Sequence, residues 1–143
     1  MQEMMIMGWE EAKSLAYPIR LAVFVHEQQV PEELELDDDD LTAWHAVVFQ
    51  DGQAIATGRL LRNGKIGRLA ILREYRGLGL GSELLKTLVS YGRQEGIKQF
   101  FLHAQTSAIG FYERLGFKAI APVLTRPGLI TSKWCLNQVK SIF

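Results

Sequence analysis

The segment Arg76-Gly77-Leu78-Gly79-Leu80-Gly81-Ser82 stands between a strand predicted to end at Leu72 and a strongly amphipathic helix. Glycines carry no Cβ, so backbone amides there can close on an anionic oxygen. The helix behind them sets unpaired N–H groups and the positive end of its dipole at the same point. Arg76 adds a fixed charge, and Ser82 can cap the helix or donate a hydrogen bond. This chemistry suits a diphosphate. A Walker loop is excluded, because Gly81 is followed by Ser82-Glu83 and no lysine. A dinucleotide loop is excluded too, since the spacing is Gly-x-Gly-x-Gly. About 20 residues on, where an acidic side chain should close the next strand, the chain reads Phe100-Phe101-Leu102-His103. The plainer alternative is a glycine-rich connector that holds no ligand.

The flanking elements follow from periodicity and punctuation. A short strand is predicted over residues 3–7. From Trp9 to about Val25 apolar residues recur at helical spacing, and Pro18 is expected to split the stretch into two short helices. Residues 26–43 read as a loop with an acidic run from Glu32 to Asp40. Asp37 to Asp40 are expected to be a solvated connector, because the run lacks the spaced ligands and turn glycine of a calcium loop. Strands are predicted over 44–50, 54–62 and 65–72, separated by the turn pairs Asp51-Gly52 and Asn63-Gly64. A helix over 82–94 offers Leu84, Leu85, Leu88, Val89 and Tyr91 to a core, with Gly96 at its C-cap. A buried strand at 99–104, a helix at 107–115 stopped by Gly116, and strands near 117–121 and 130–136 complete the chain. This order predicts an α/β (α+β) fold, a mixed sheet of about six to seven strands with helices on both faces.

The bulk numbers set limits. A chain of 143 residues fits one domain, spanning 1–143, with a real core. Sixteen basic and sixteen acidic residues cancel, which argues against a nucleic-acid coat protein and leaves room for a local basic pocket. Cys135 is the only cysteine, so neither an internal disulfide nor a thiolate metal cage can form, and a reducing compartment is expected. No stretch approaches the roughly 20 apolar residues of a membrane span, and the N-terminus lacks a secretory core. A cytoplasmic protein without membrane or nucleic-acid partners is the expectation.

Two further runs bring in a resemblance. Gly67-Arg68-Leu69-Ala70-Ile71 followed by Arg76 to Gly81 resembles the core motif of the GNAT superfamily of N-acetyltransferases. Gln105-Thr106-Ser107-Ala108-Ile109-Gly110-Phe111-Tyr112-Glu113-Arg114-Leu115-Gly116-Phe117 resembles its second signature. The match is firm over about residues 44–121, and two motifs in the proper order are far more specific than either alone. Arg20…Phe24-Val25-His26-Glu27-Gln28…Pro31…Asp37…Asp40…His45 is similar to the ElaA-like branch of small bacterial acetyltransferases. The chain departs from that branch at Thr125-Arg126-Pro127-Gly128, where an acidic, His-containing segment would be expected.

The resemblance implies acetyl-CoA as co-substrate, no metal, and an amine of a small molecule or peptide as acceptor. The cofactor-binding set it implies is Leu69, Ala70, Ile71, Arg76, Gly77, Leu78, Gly79, Leu80, Gly81, Ser82, Gln105 and Phe111. Leu69 and Ile71 would bond the pantetheine arm through their backbones, and Gln105 would replace the family's asparagine. Only about one alkylamine in a thousand is neutral near pH 7.4, so a base is needed; Glu27 and His103 are the candidates, with His45 read as structural. Glu27 could equally be a surface carboxylate, and His103 a satisfied, half-buried histidine. Backbone N–H groups, that of Ile71 first, would face the oxyanion. Tyr112 stands where the superfamily places a proton donor to the leaving thiolate; packing beside Phe111 and Phe117 is its alternative. Cys135 lacks an obvious basic partner, so direct transfer is expected over an acyl-enzyme. Trp9, Trp44 and Trp134 are read as core or interface residues. A non-catalytic acyl-CoA-binding regulatory module is the rival reading, and an interaction domain built on the acidic loop a weaker one. The oligomeric state is left open, a homodimer included.

Overall fold

The computed structural model describes residues 2–29, 37–126 and 129–138, with side chains described over 2–29, 37–122 and 135–137. Strand β1 (Gln2–Met7) leads into α1 (Trp9–Arg20) and a π-helical extension (Leu21–Glu27). A 3-10 turn (Asp38–Leu41) precedes β2 (Trp44–Gln50), β3 (Gln53–Leu60) and β4 (Lys65–Ile71). Then come α2 (Leu80–Gln94), β5 (Phe101–Gln105), the short α3 (Ile109–Glu113), β6 (Phe117–Arg126) and β7 (Leu129–Gln138). The seven strands form one mixed sheet in the order β1-β2-β3-β4-β5-β7-β6.

The first four strands are an antiparallel meander. Asp51 (φ 51°) and Gly52 (φ 83°) turn β2 into β3 with both dihedrals positive, the geometry that matches strand twist. Helix α2 crosses the sheet and returns the chain as β5, parallel to β4. Its apolar stripe of Leu84, Leu85, Leu88 and Val89 is fully buried against β3 and β4. Removing one such leucine side chain would cost about 2–5 kcal/mol. Helix α1 packs on the opposite face, with Ile19 and Val23 against Ala70 and Ala12 against Val47.

Pro18 does not split the first helix, as the sequence suggested. The helix runs through it to Arg20 and then widens into π turns, with Gln28 N–H donating to Val23 O at 3.1 Å. Proline withholds the N–H that would bond four residues back, and a wider turn is one way a helix absorbs such a fault. The π turns carry Phe24, Glu27 and Gln28 toward the open end of the sheet.

Two irregularities shape that end. In β4 the register slips by one residue between Thr57↔Ala70 and Arg59↔Gly67, so Arg68 and Leu69 together oppose Gly58. Arg68 takes φ 51°, the left-handed conformation of a bulge residue. Next, β4 and β5 pair only at Lys65↔Phe101 and Ile66↔Leu102. Beyond Ile66 the two strands diverge, although β4 runs on to Ile71 and β5 to Gln105. The apex of this wedge is pinned at Gly64, whose carbonyl accepts from Phe101 N–H at 3.1 Å. Gly64 has φ 98°, and a Cβ there would collide with the Gln99 carbonyl oxygen.

Candidate active site

The wedge holds a cavity of about 360 Å³. Leu69 and Gly67 line it from β4, His103 and Gln105 from β5, Tyr112 from α3, and Phe24 and Gln28 from the π-helical end. Alternation settles which amides face the opening. Leu72 N–H donates to Ile55 O on β3 at 3.0 Å, so Ile71 and Leu69 turn their N–H groups toward the unpaired edge. Ala70 pairs with Thr57 on β3, and its methyl is buried in the α1-side core. Of the three β4 residues expected at a cofactor, Leu69 and Ile71 therefore present free-edge amides and Ala70 does not.

Beside the wedge lies the glycine turn. Gly77 (φ 80°) and Gly79 (φ 83°) are left-handed, and a Cβ built on either would meet nothing within 4 Å. The cradle is open on that side. Gly79 is the N-cap of α2, so the 15-residue helix starts at Leu80. Ser82 lies inside its first turn, so of its two expected roles, cap or hydrogen-bond donor, the cap falls to Gly79. Leu80 is buried, whereas Leu78 projects outward at 67% exposure. A methyl at Gly81 would sit 3.5 Å from Phe111 Cζ and 3.6 Å from Ile71 Cδ1, which places Phe111 against the turn.

Arg76 bridges the turn and both flanks. Its Nε donates to Ile71 O at 2.9 Å, and its two terminal nitrogens donate to the Glu27 carboxylate at 2.9 and 2.8 Å. Arg73 stands 3.7 Å from the same carboxylate. The hydrogen bonds from Arg76 hold the Glu27 carboxyl below its ordinary value, against the opposing effect of burial. Glu27 thus anchors Arg76, and its depressed basicity disfavours it as a base.

Tyr112 lies edge-on to Phe111 at 5.1 Å and to Phe117 at 6.2 Å. Burial pushes its phenol above the usual value, so it holds its proton throughout the neutral range. The packing and proton-holding readings are therefore compatible. His103 lines the cavity and is exposed. Its strand neighbour across β7 is Cys135. Gln105 is exposed at the same strand end.

The acidic run corrects the sequence reading most. Asp40 is 1% exposed and pairs with fully buried Arg20 at 3.0 Å and with Arg59 at 3.1 Å. Asp37 bonds Arg59 at 2.7 Å and Arg68 at 3.1 Å. Burial opposes ionisation of Asp37, yet Arg59 and Arg68 hold its carboxyl below the usual range. Asp40 is a buried counterion, and Asp37 a partly exposed one, because β3 and β4 bring arginines to them from about twenty to thirty residues away, while Asp38 and Asp39 are exposed. His45 completes the group. Burial keeps its imidazole neutral, so Nε2–H donates to Asp40 O at 3.0 Å while Nδ1 faces Arg20 at 3.5 Å. Trp9 stacks on His45 at 4.8 Å and lies under Arg20 at 5.1 Å. Trp44 packs on Tyr91 beneath Arg62. Trp134 and the divergent Pro127-Gly128 fall outside the described side chains and residues, respectively.

Comparison with known proteins decides the family. Residues 8–117 match the model of the Acetyltransferase (GNAT) family. This chain belongs to the GNAT family. A Bacillus subtilis (strain 168) protein named as an acetyltransferase is 34% identical to this GNAT protein over 126 residues, 84% of this chain and 86% of its own. An acyl-CoA N-acyltransferase structure from Pseudomonas aeruginosa superposes with TM-score 0.84 at 25% identity, covering 97% of this chain and all of its own. Escherichia coli ElaA superposes with TM-score 0.83 at 24% identity over 96% of this chain and 99% of its own, a likeness of fold. The GNAT fold expected from the motifs is the fold found. Among the described residues, no helix is long and apolar enough to cross a membrane.

Arg59, Lys65 and Arg68 were not among the residues singled out as site candidates. They line the same cavity. A signal existed: Arg59 interrupts the otherwise apolar or small run from Ala54 to Leu61, where a charge needs a buried partner.

Proposed function

We propose that this GNAT protein transfers the acetyl group of acetyl-CoA directly to a primary amine of a small molecule or peptide. The observation that carries the reading is the wedge between β4 and β5, which gathers free-edge amides, a protonated phenol and an exposed imidazole around one cavity beside the glycine turn. The cradle fits the donor: left-handed glycines open on one side, a long helix pointing its N-terminus at the turn, and a guanidinium alongside. When bound, acetyl-CoA supplies an activated thioester and departs as a thiol.

The protein's own groups divide the remaining work. Amides from Gly77 to Ser82 and the Arg76 guanidinium hold the diphosphate, and Leu80 fixes the turn by burying its side chain. Leu69 and Ile71 bond the pantetheine arm, with Phe111 and Gln105 against it. The Ile71 N–H offers a hydrogen bond to the carbonyl oxygen at the strand edge, where such donors contribute most. Tyr112 keeps its proton until the sulfur needs it. His103 takes the proton from the acceptor ammonium, directly or through water. Glu27 positions Arg76. The chain acts as a single domain.

The test is an amine-library screen with acetyl-CoA, thiol release as the readout, and the same screen on Tyr112→Phe. Turnover with at least one amine is expected. The variant should lose about 100-fold in kcat, the lower end of what general acid catalysis contributes, at unchanged coenzyme A affinity. Tight coenzyme A binding without turnover on any amine would instead establish a binding module.

A further inference from the structure

Gly58 in β3 and Gly67 in β4 both lie inside strands, where glycine weakens the element and has no side chain to pack. Packing explains Gly58: a Cβ there would come within 2.7 Å of Leu69 Cδ2 and 3.1 Å of Leu88 Cδ1. Neither packing nor backbone explains Gly67. A Cβ built on it would meet nothing within 4 Å, and its φ is not left-handed. The bulge does not require it either, since the left-handed residue there is Arg68, a position that would suit glycine better. The open space beside Gly67 belongs to the cavity, which this residue lines.

Register and alternation locate that space. Gly67 pairs with Arg59, whose side chain joins Asp40 and, through it, Arg20 of α1. The next residue back, Ile66, sits in the core with Leu84 and Leu88 of α2, so Gly67 faces the α1 side of the sheet. Partners in the parallel pairs Lys65↔Phe101 and Ile66↔Leu102 share a face, and the next step along both strands is Gly67 and His103. The strands have parted by then. Gly67 and His103 therefore stand on opposite lips of the wedge, on one face, with Phe24 and Gln28 lining the same cavity. A side chain at position 67 would project into the gap in front of His103.

We propose that Gly67 determines acceptor specificity: its missing side chain is the space in which the amine, and the carbon that bears it, come up to His103. This rests on the cavity being the acceptor site and His103 its base. Each branch on the carbon beside the nitrogen needs room for a further methyl group. Glycine leaves that room, alanine takes part of it, and valine fills it. Leu69 and Ile71, which hold the donor arm, lie further along β4, so a side chain at position 67 leaves the donor's seat untouched.

The experiment sets Gly67→Ala and Gly67→Val against the parent with two readouts. The first is thiol release from acetyl-CoA with a linear primary amine and with its α-methyl counterpart. For both amines kcat/KM should fall from parent to alanine to valine, by about tenfold or more for valine. The α-methyl amine should lose more than the linear one. Coenzyme A affinity should stay at the parental value, and Tm should hold or rise, because both replacements suit a strand of ordinary φ better than glycine does. The second readout needs no turnover: carbethoxylation of histidines by diethylpyrocarbonate, mapped by peptide mass. Exposed His26 is the reference and buried His45 the unreactive control. His103 should react in the parent and several-fold more slowly in Gly67→Val, with His26 unchanged. Undiminished kcat/KM on both amines, or a His103 as reactive as in the parent, would overturn the proposal. So would a fall in coenzyme A affinity or in Tm that accounts for the lost activity. Absence of turnover on every amine, with His103 shielded in the variant, would overturn the transferase reading and keep Gly67 as the entrance to His103.

Discussion

Replacing Gly81 by alanine should move two measurements in different directions. Gly81 lies in the first turn of α2 and is not left-handed, and the added methyl would make ordinary contacts, 3.5 Å from Phe111 Cζ and 3.6 Å from Ile71 Cδ1. The fold has room for it. Alanine is better than glycine in a helix by at most about 1 kcal/mol. Unfolding entropy of about 2.1 cal/mol/K per residue gives roughly 0.3 kcal/mol/K for a chain of this length, so Tm should hold or rise by up to about 3 °C. Coenzyme A affinity should fall, because a methyl on the turn keeps a diphosphate oxygen from closing on the amides. Losing one charge-assisted hydrogen bond costs about 1.5–3 kcal/mol, or roughly 10- to 150-fold in Kd. Differential scanning calorimetry reads the first quantity and titration calorimetry the second. Parental affinity in a Gly81→Ala protein of parental Tm would refute the placement of the diphosphate on this turn. Gly79→Ala is the less informative variant: its φ of 83° makes alanine strained by about 1–2 kcal/mol, so fold and ligand would suffer together.

Asp40→Asn should lower stability by about 3–5 kcal/mol, since it leaves Arg20 and Arg59 buried without their shared counter-charge. That is about 10–17 °C in Tm, and a melt within about 3 °C of the parent would contradict the network. His45 sets a pH dependence. Its folded pKa lies below the ordinary 6.5, so the unfolded chain binds the proton more readily. Stability is full above about pH 6.5 and falls as pH drops from there toward the folded pKa, with a slope of at most about 1.4 kcal/mol per pH unit. Carboxylates such as Asp37, depressed below 3.8, keep their contribution over this range and lose it only at lower pH; thermal melts of parent and His45→Gln from pH 7.5 to 5 should differ by this slope. Gly64→Ala should yield little folded protein, because both its φ and the Gln99 carbonyl forbid the methyl; a normal yield and Tm would show that the wedge apex can shift.

What could be seen in the sequence was whatever depends on near neighbours along the chain. The glycine turn, the stripe of α2, Asp51-Gly52 and the Phe111-Tyr112 signature all state their geometry locally, and the fold and the cavity's β5 and α3 walls follow from them. Asp38 and Asp39 are exposed as expected, but Asp37 and Asp40 depart from the expectation because solvation holds for an acidic run only until arginines arrive from elsewhere. Arg59 and Arg68 arrive only once β3 and β4 have paired. The Arg20, Asp40 and His45 pattern was visible as a motif, but its meaning, a buried charge cluster under Trp9, required the tertiary contact. Pro18 misled for a related reason. Its local effect on the ladder is real, but packing of Ile19 and Val23 on the sheet holds the helix together past the fault.

The cavity is bounded by two places where the backbone carries one residue more than a regular element would: the π turns of Leu21–Glu27 and the bulge at Arg68. Each extra residue acts as a phase shift. In a helix one residue turns everything after it by about 100°, and in a strand it exchanges the two faces. Deleting a single residue from the π turns would swing Phe24 and Gln28 away from the cavity with no side chain altered, and deleting one from the bulge would reverse Gly67 and Lys65 relative to Ile71. The scaffold thus has a coarse adjustment in chain length beside the fine adjustment of residue type. Relatives that differ by one residue in either segment should differ in acceptor more than those that differ by several substitutions elsewhere.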